Sequence, residues 1–416
     1  MTASQSGKPE SSPMSKGVNP KLPGSIWVLG FVSMLMDISS ELVHSLLPIF
    51  MTTVLGTSVL TVGFLEGIAE ATAAITKVFS GVISDFIRKR KFLVVLGYAL
   101  GAITKPVFPL ATSIGWVFAA RFVDRVGKGI RGAPRDALIA DIVSPQLRGA
   151  AYGLRQSLDS VGAFIGPMLA IGFMIWFAND IKAVLWVAVL PAFLAVFLLI
   201  VAVREPEAEP ESSEHVVDAT KALKLIDIKR LPRGYWLVVI LGAIITLARF
   251  SEAFLILRAQ DVGLSIAYVP AIMIVMNVVY SAFAYPAGVA ADRFSARALL
   301  IFGLGILIAA DVVLASAVSP GLTFLGAGFW GLHLAFTQGL LAKLVADTSL
   351  VELRGTAFGI FNLVSGGALL LASVIAGSLW SAFGPSATFI AGALFAGFAV
   401  MGLIFYSLKL PSSAIR

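Results

Sequence analysis

Hydrophobic residues dominate this chain in long runs separated by short polar or charged clusters. Several runs carry no charged residue over at least the roughly 20 positions that a helix needs to cross a bilayer. They include residues 183–203, 262–291, 355–383 and 385–408. Transmembrane β-strands produce no such runs, because their inward and outward side chains alternate in polarity. The pattern therefore predicts an all-α membrane protein.

Apolar runs between turn or charge clusters predict twelve transmembrane helices, six on each side of a polar linker. The first six spans are expected near residues 25–54, 58–86, 92–112, 114–141, 149–178 and 183–203. The second six are expected near residues 235–258, 264–291, 297–317, 321–346, 355–383 and 385–408. The predicted domains are a disordered cytoplasmic tail (1–23), a six-helix bundle (24–203), a cytoplasmic linker (204–233), a second bundle (234–409) and a short cytoplasmic tail (410–416).

The two predicted bundles repeat each other in sequence. GVISD at residues 81–85 is echoed by GVAAD at 288–292, and ADIVSPQLRGAAYG at 140–153 by ADTSLVELRGTAFG at 346–359. Both pairs have nearly the same separation, which indicates an internal duplication. Duplicated six-helix halves are typical of secondary transporters, in which one half rocks against the other around a site at the membrane midplane.

Charge places the protein in the membrane and indicates its orientation. Charged residues make up 13% of the chain and hydrophobic residues 58%, whereas soluble domains are about 25% charged. The net charge of +7 comes from bases clustered in alternate loops, as in cytoplasmic loops of membrane proteins, so nucleic acid is not an expected partner. Because the loops rich in Lys and Arg are on the same side of the membrane as both chain ends in a twelve-span protein, both termini should be cytoplasmic. The absence of cysteine suits a multi-pass protein of a bacterial inner membrane.

The loop GVISDFIRKRK after span two resembles the helix 2–3 signature of the major facilitator superfamily (MFS), Gly-x-x-x-Asp-Arg-x-Gly-Arg-Arg/Lys. Phe86 and Arg88 depart from it, and the second copy, GVAADRFSAR, is also imperfect. The resemblance implies two pseudo-symmetric six-helix bundles and a cytoplasmic gate made by the matching residues, Gly81, Asp85, Arg90, Lys91, Gly288, Asp292 and Arg293. An ordinary positive-inside loop is the alternative.

Span five resembles the antiporter motif of the same superfamily in the spacing of Gly153, Gly162, Gly166 and Pro167. The alternative is a packing seam, because small residues four apart let membrane helices approach closely. Span four carries an imperfect copy of the family's Arg-x-x-Gln-Gly pattern, which implies a proton-coupling role for Arg125. Together with span one, it also resembles a bacterial permease branch that includes nickel-resistance exporters.

The stretch MDISSELVH places three ionisable residues inside the first span. Asp37, Glu41 and His44 are spaced i, i+4 and i+7, so they share one helix face. Each charge at this depth costs about 2.5 to 3.5 kcal/mol or more, so the face should meet a wet cavity or partners. Arg121 and Arg125 of span four reach a similar depth and are the expected partners. The three groups could form a proton or substrate site, a structural ion-pair network, or a divalent-metal site.

Further ionisable residues occur within the predicted spans and crowd into the first half. The proton-coupling or substrate candidates beyond the first span are Glu66, Glu70, Arg121, Asp124, Arg125, Arg155, Asp159, Arg249 and Glu252. This distribution predicts that coupling resides in the first half.

The sequence as a whole predicts a secondary transporter that exports a small molecule or ion by proton-coupled alternating access. No phosphate-binding loop and no pair of nucleophile and base stand out, so neither ATP-driven transport nor an enzyme is expected. No cofactor or resident metal is expected. The expected partners are the substrate, protons and the lipid bilayer, with the protein as a monomer. A divalent-metal exporter for a nickel-like or iron-like ion, and a non-transporting sensor or lipid-handling protein, are the alternatives.

Overall fold

The computed structural model describes residues 22–87, 89–144, 147–203, 230–350 and 353–407. The described part of the first half consists of α1 (Gly24–Ile49), a π-helical turn (Phe50–Val54), α2 (Val59–Ile87), α3 (Arg90–Thr104), α4 (Val107–Leu110), α5 (Ile114–Ile142), α6 (Arg148–Trp176), α7 (Ile181–Val187) and α8 (Val189–Ala202). The second half consists of α9 (Arg233–Leu247), α10 (Ala253–Asp261), a short 3-10 turn (Ile266–Tyr268), α11 (Ala271–Arg293), α12 (Ala296–Ala315), α13 (Pro320–Thr348), α14 (Arg354–Phe383) and α15 (Pro385–Ser407).

Within these ranges the helices make twelve passes, arranged as two six-helix bundles, and no β-strand occurs. Nine passes are long and apolar enough to cross a bilayer by length and composition. The pass formed by α5 is interrupted by charges such as Arg121, Asp124 and Lys128. Because those charges must be sheltered from lipid, α5 is expected to face the interior of the protein.

Three passes are broken helices. The first break, between α3 and α4, coincides with Pro106, and the second precedes Pro191 in α8. Proline lacks the N–H that would bond the carbonyl four residues earlier, so the helix yields there. The third break, at residues 248–252 between α9 and α10, contains no proline. It is held by the Ser251 N–H, which donates to Ser373 Oγ of α14 over 3.2 Å.

The start of α1 and the end of α15 lie on one side of the molecule, which we call the tail side. The loops at residues 55–58, 111–113 and 316–319 lie on the opposite, far side. Within each half, α1 packs along α6 and α12 packs along α13. Between the halves the longest contact is α2 against α14.

Glycines bring α2 and α14 into close contact along their length. A methyl group added to Gly67 or to Gly377 would lie 2.9 Å from the Cα of Leu370 or of Leu60. Approach at this distance excludes larger side chains, as in other close-packed membrane helices. The two halves are therefore joined along this interface from the far side towards the tail side.

The apolar core differs between the two sides of the molecule. Towards the far side, residues of both halves form one cluster that includes Leu47, Phe50, Met51, Phe254 and Met276, which we call the far-side seal. Towards the tail side, a first-half cluster around Ile26, Tyr98 and Leu199 stays separate from a second-half cluster around Tyr235 and Val345. The halves therefore share one apolar cluster at the far side, whereas towards the tail side they keep separate clusters and meet along α2 and α14.

Candidate functional site

A cavity of about 870 Å³ lies between the two halves. The first half lines it with ionisable side chains: Asp37, Glu41, Glu70, Lys77, Lys128, Arg131, Arg135 and Asp159. The second half lines it with uncharged polar side chains: Asn277, Tyr280, Ser281 and Asn362. A polar cavity that reaches the middle of the membrane provides the wet surroundings that the buried charges of the first half require.

Asp37 and Glu41 stand on the cavity wall at the contact between α1 and α6. A methyl group at Gly162 would lie 2.6 Å from the Met34 carbonyl oxygen, and one at Gly166 would lie 2.9 Å from Glu41 Cβ. Two glycines of the antiporter-like motif thus form a close-packed seam directly behind the two acids.

The other two residues of that motif have different surroundings. Gly153 has no neighbouring atom within 4 Å of where a methyl group would be. Pro167 lies inside α6, which continues through it. The tight part of the motif is therefore the pair of glycines that carries the acidic face of α1.

The arginines of α5 pair with acids on α2. Arg121 Nη2 lies 2.7 Å from Glu66 Oε2, and both side chains are at most 2% exposed. One turn further along, Arg125 Nη1 lies 3.2 Å from Glu70 Oε1. The expected pairing of these arginines with Asp37 and Glu41 is not what the structure shows. Sequence gives the depth of a residue in the membrane but not which helix stands beside it, and α5 packs along α2.

The ion pairs extend from α2 and α5 to α1 and α3. Asp124 accepts from Lys105 Nζ over 3.0 Å and lies 3.3 Å from Arg125 Nε. Lys105 also donates to Ser40 Oγ of α1 over 3.1 Å. His44 lies between Glu41 and Glu66, with nitrogen-to-oxygen distances of 3.7 and 3.9 Å. One network therefore connects four passes of the first half.

Three further candidate residues were not predicted from the sequence. Lys105 is buried at the end of α3, and its signal was a lone base before proline inside an apolar run. Arg131 stacks on Tyr98, with 4.6 Å from its Cζ to the ring centroid. Arg135 donates to Ser33 Oγ over 2.8 Å. The arginines continue the stripe of bases along α5, which the three- and four-residue spacing from Arg121 onwards could have revealed.

The remaining candidates fall into two places. On α6, Arg155 and Asp159 form an i, i+4 ion pair of 2.5 Å, and Arg155 Nε lies 3.8 Å from Asp136. In the second half, Arg249 and Glu252 occupy the break between α9 and α10. The break itself was not expected, since the sequence predicted one continuous span over 235–258.

The predicted gate on the tail side is only partly described. The surroundings of Gly81 and the side chains of Asp85, Asp292 and Arg293 lie outside what the structure describes. Arg90 pairs with Asp141 over 2.7 Å, and Lys91 donates to the Ile200 carbonyl over 3.1 Å. Gly288 has no neighbouring atom within 4 Å of a methyl position. The gate remains a prediction.

Within the described residues, no group of three or more His, Cys, Asp or Glu side chains is arranged to hold a metal ion. Asp37, Glu41 and His44 share a face of α1, but His44 is directed to Glu41 and Glu66. Glu41 and His44 therefore take part in the ion-pair network, and Asp37 and Glu41 also line the cavity.

Two six-helix halves around a central cavity are the architecture of many secondary transporters. The chain matches the model of the Major Facilitator Superfamily over residues 29–276 and 238–415. It belongs to the major facilitator superfamily, as the resemblance of its loops predicted.

Known proteins and structures agree with this assignment. The chain is 33% identical over 393 residues to an uncharacterized MFS-type transporter of Methanocaldococcus jannaschii, covering 92% of this chain and 95% of that protein. It is 24% identical over 387 residues to the inner membrane transport protein YajR of Escherichia coli, covering 89% and 80% of the two chains. The crystal structure of a D-xylose–proton symporter shares its fold, with a TM-score of 0.69 at 18% identity over 94% of this chain and 98% of that one.

Proposed function

We propose that this protein uses an inward proton gradient to export a small molecule, with Asp37 and Glu41 as the proton-carrying groups. The observation that supports this assignment is the position of both acids on the cavity wall, directly in front of the Gly162–Gly166 seam. Acids at this depth that reach water can exchange a proton, whereas an acid locked in a buried ion pair, such as Glu66, has its charge compensated.

Proton binding at this place would change the forces between helices. Asp37 of α1 interacts electrostatically with Asp159 of α6 and with Arg131 and Lys128 of α5. Protonation of Asp37 removes its repulsion from Asp159 and its attraction to the two bases. A ligand shifts a two-state equilibrium by its different affinity for each state, and a proton does so in the same way. The proton would thus favour a different packing of α1, α5 and α6.

The tail side is proposed to be the cytoplasmic side. Arg90, Lys91, Arg148 and Arg233 lie at helix ends on this side, and the short far-side loops are poor in bases, which is the distribution of cytoplasmic loops. The state described here would then be open to the cytoplasm and ready to load substrate. Since the chain has no cysteine, single cysteines at Ser213 and Ser319 should react with an impermeant maleimide from opposite sides. Labelling from the same side would contradict the orientation.

The test of proton coupling uses proteoliposomes loaded with a compound that stabilises the purified protein in a thermal-shift screen of drugs, organic anions, metals and siderophores. Asp37→Asn and Glu41→Gln should each abolish efflux driven by an imposed proton gradient. Both should retain counterflow of the same compound, which needs no net proton movement. Asp180→Asn makes the same chemical change at the N-cap of α7, outside the cavity, and should transport normally.

The proposal fails if an imposed proton gradient still drives efflux at the full rate in the double variant Asp37→Asn/Glu41→Gln. The acids would then be structural parts of the α1–α6 contact. Loss of both efflux and counterflow in folded protein would equally count against a proton-coupling role, because it would mark the acids as part of substrate binding.

A further inference from the structure

A second, smaller recess lies in the second half, next to the main cavity. Its volume is about 290 Å³, and α9, α13 and α14 supply most of its wall. It shares Glu70, Ala74 and Asn362 with the main cavity, so the two spaces adjoin. A space of this size accommodates a small organic molecule.

Arg249 lines the recess from the break that follows α9. Among the residues the structure describes, its guanidinium makes no hydrogen bond or ion pair, although Arg121, Arg125 and Arg155 all have carboxylate partners. An arginine at membrane depth is costly unless it pairs or serves a site. Its free donors suit a carboxylate, which a guanidinium binds through two parallel hydrogen bonds.

His333 offers the complementary group. Its side chain is 1% exposed, and its Nδ1 lies 2.9 Å from the Gly303 carbonyl oxygen. A carbonyl only accepts, so Nδ1 carries the hydrogen and the other ring nitrogen, Nε2, is an acceptor in the neutral ring. Nε2 is buried and has no hydrogen-bond partner among the described residues. A donor from a ligand would satisfy it.

The rest of the wall is mixed in polarity. Ser365 Oγ is also buried without a described partner, and Ile245, Leu341 and Phe361 provide apolar surface. Unsatisfied buried polar atoms are uncommon in native proteins, and each indicates a missing partner. Two such atoms, His333 Nε2 and Ser365 Oγ, line one recess together with Arg249, and one ligand could satisfy all three groups.

We propose that this recess binds an organic anion that carries a hydroxyl group, as the cargo-binding site of the transporter. The carboxylate would pair with Arg249, the hydroxyl would donate to His333 Nε2, and the apolar body would lie against Leu341 and Phe361. The identification of the ligand as cargo rests on the function proposed above, whereas the binding itself does not.

Binding is tested on the full-length purified protein by calorimetry, without a proton gradient. The probes are mandelate, phenyllactate and hydroxyisocaproate, each with its deoxy acid and its methyl ester. At least one hydroxy acid should bind, its deoxy acid should bind about tenfold more weakly for lack of the donor, and its ester should lose binding for lack of charge.

Two variants assign these preferences to the recess. Arg249→Gln should lower affinity for the hydroxy acid at least about tenfold, whereas Arg148→Gln, at the exposed start of α6, should leave it unchanged. His333→Asn keeps an amide N–H for the Gly303 carbonyl but removes the Nε2 acceptor. It should bind the hydroxy acid and its deoxy counterpart equally.

Absence of binding for all three hydroxy acids would overturn the inference, as would equal affinity for deoxy acids in the wild type or undiminished binding by Arg249→Gln. Hydroxy-acid binding by the Asp37→Asn/Glu41→Gln variant, without gradient-driven efflux, would support both this site and the proton-coupling role. Binding together with efflux at the full rate in that variant would support the site and reject the coupling role.

Discussion

The two halves of this transporter share a fold but differ in how they hold polar groups inside the membrane. In the first half, acids and bases are paired across helices, as in Glu66 with Arg121 and Asp124 with Lys105. In the second half, two buried ionisable side chains, Asp311 and His333, have no ion-pair partner among the described residues, and both oxygens of Asp311 and Nε2 of His333 make no hydrogen bond. Duplication preserved the architecture, while the chemistry of the two interiors diverged.

The surroundings of the isolated groups are aromatic. Phe250 directly follows Arg249 at the helix break and packs against Trp330, Phe254 and Phe389, with ring centroids 5.2 to 5.5 Å apart. A paired network can change partners when one member gains a proton, whereas a lone group in an apolar wall is free to meet a ligand. The difference supports the proposals that place coupling in the first half and recognition in the second.

At the far side the second half does carry a paired base. Arg258 pairs with Asp261 and donates to the carbonyl oxygens of Leu314 over 3.0 Å and Ala317 over 2.8 Å. These carbonyls belong to the end of α12 and the turn after it, where the regular helical N–H donors four residues further on are missing. The pairing here closes a helix end at the far-side seal, away from the cavity.

Breaking the most deeply buried ion pair should have the largest effect. Arg121→Met leaves Glu66 without its partner and is expected to lower the free energy of unfolding by about 3 to 5 kcal/mol. The double variant Glu66→Leu/Arg121→Met removes both charges and should recover most of this loss. Thermal unfolding of detergent-purified protein measures both, with Arg148→Met as the exposed control.

If Arg121→Met unfolds at the same temperature as the wild type, the stability of the first half does not depend on the pairing of its buried charges. A double variant as unstable as the single one would show that the pair contributes more than mutual neutralisation. Efflux should be reduced in either variant, because the network that connects α1, α2 and α5 is interrupted.

The glycine seam should have the second largest effect. Gly166→Ala places a methyl group 2.8 Å from the Ile38 carbonyl oxygen, which forces α1 and α6 apart at an expected cost of about 1 to 3 kcal/mol. Gly153→Ala, at a position with no atom within 4 Å, should be harmless. The duplicated sequence places Ala372 at the position that corresponds to Gly166, so the seam distinguishes the halves. Equal stability of the two alanine variants would show that α1 and α6 adjust freely.

The architecture was predictable because hydrophobic run length is written directly in the sequence. The spans follow from the lengths of the hydrophobic runs, and the duplication follows from the repeated motifs. The position of the acids on one face of α1 follows from their spacing along the helix. The partners of Arg121 and Arg125 were not predictable, since they depend on which helix packs beside α5. The break after α9 was missed for a similar reason: the contact that holds it, from Ser251 to Ser373, joins residues far apart in the chain.

The smallest effect is expected where an acid has no partner to lose. Asp311 is fully buried in α12, and a methyl group at Gly392 of α15 would lie 2.6 Å from its Oδ2. Because neither oxygen has a described hydrogen-bond partner, Asp311→Val removes no bond and should raise the free energy of unfolding by up to about 1 kcal/mol. Glu66→Val makes the matched change at a paired acid and should lower it.

A marked loss of stability in Asp311→Val would mean that the carboxyl group has a stabilising role that its contacts do not reveal, and would weaken the contrast between the halves. A gain in stability with normal efflux would show that Asp311 destabilises the second half and is not needed for transport. A gain in stability with lost efflux would sharpen the comparison most, because proteins retain destabilising groups where function requires them. In that case the second half would also contain an acid that transport requires, and this acid would lie in apolar surroundings rather than in an ion-pair network.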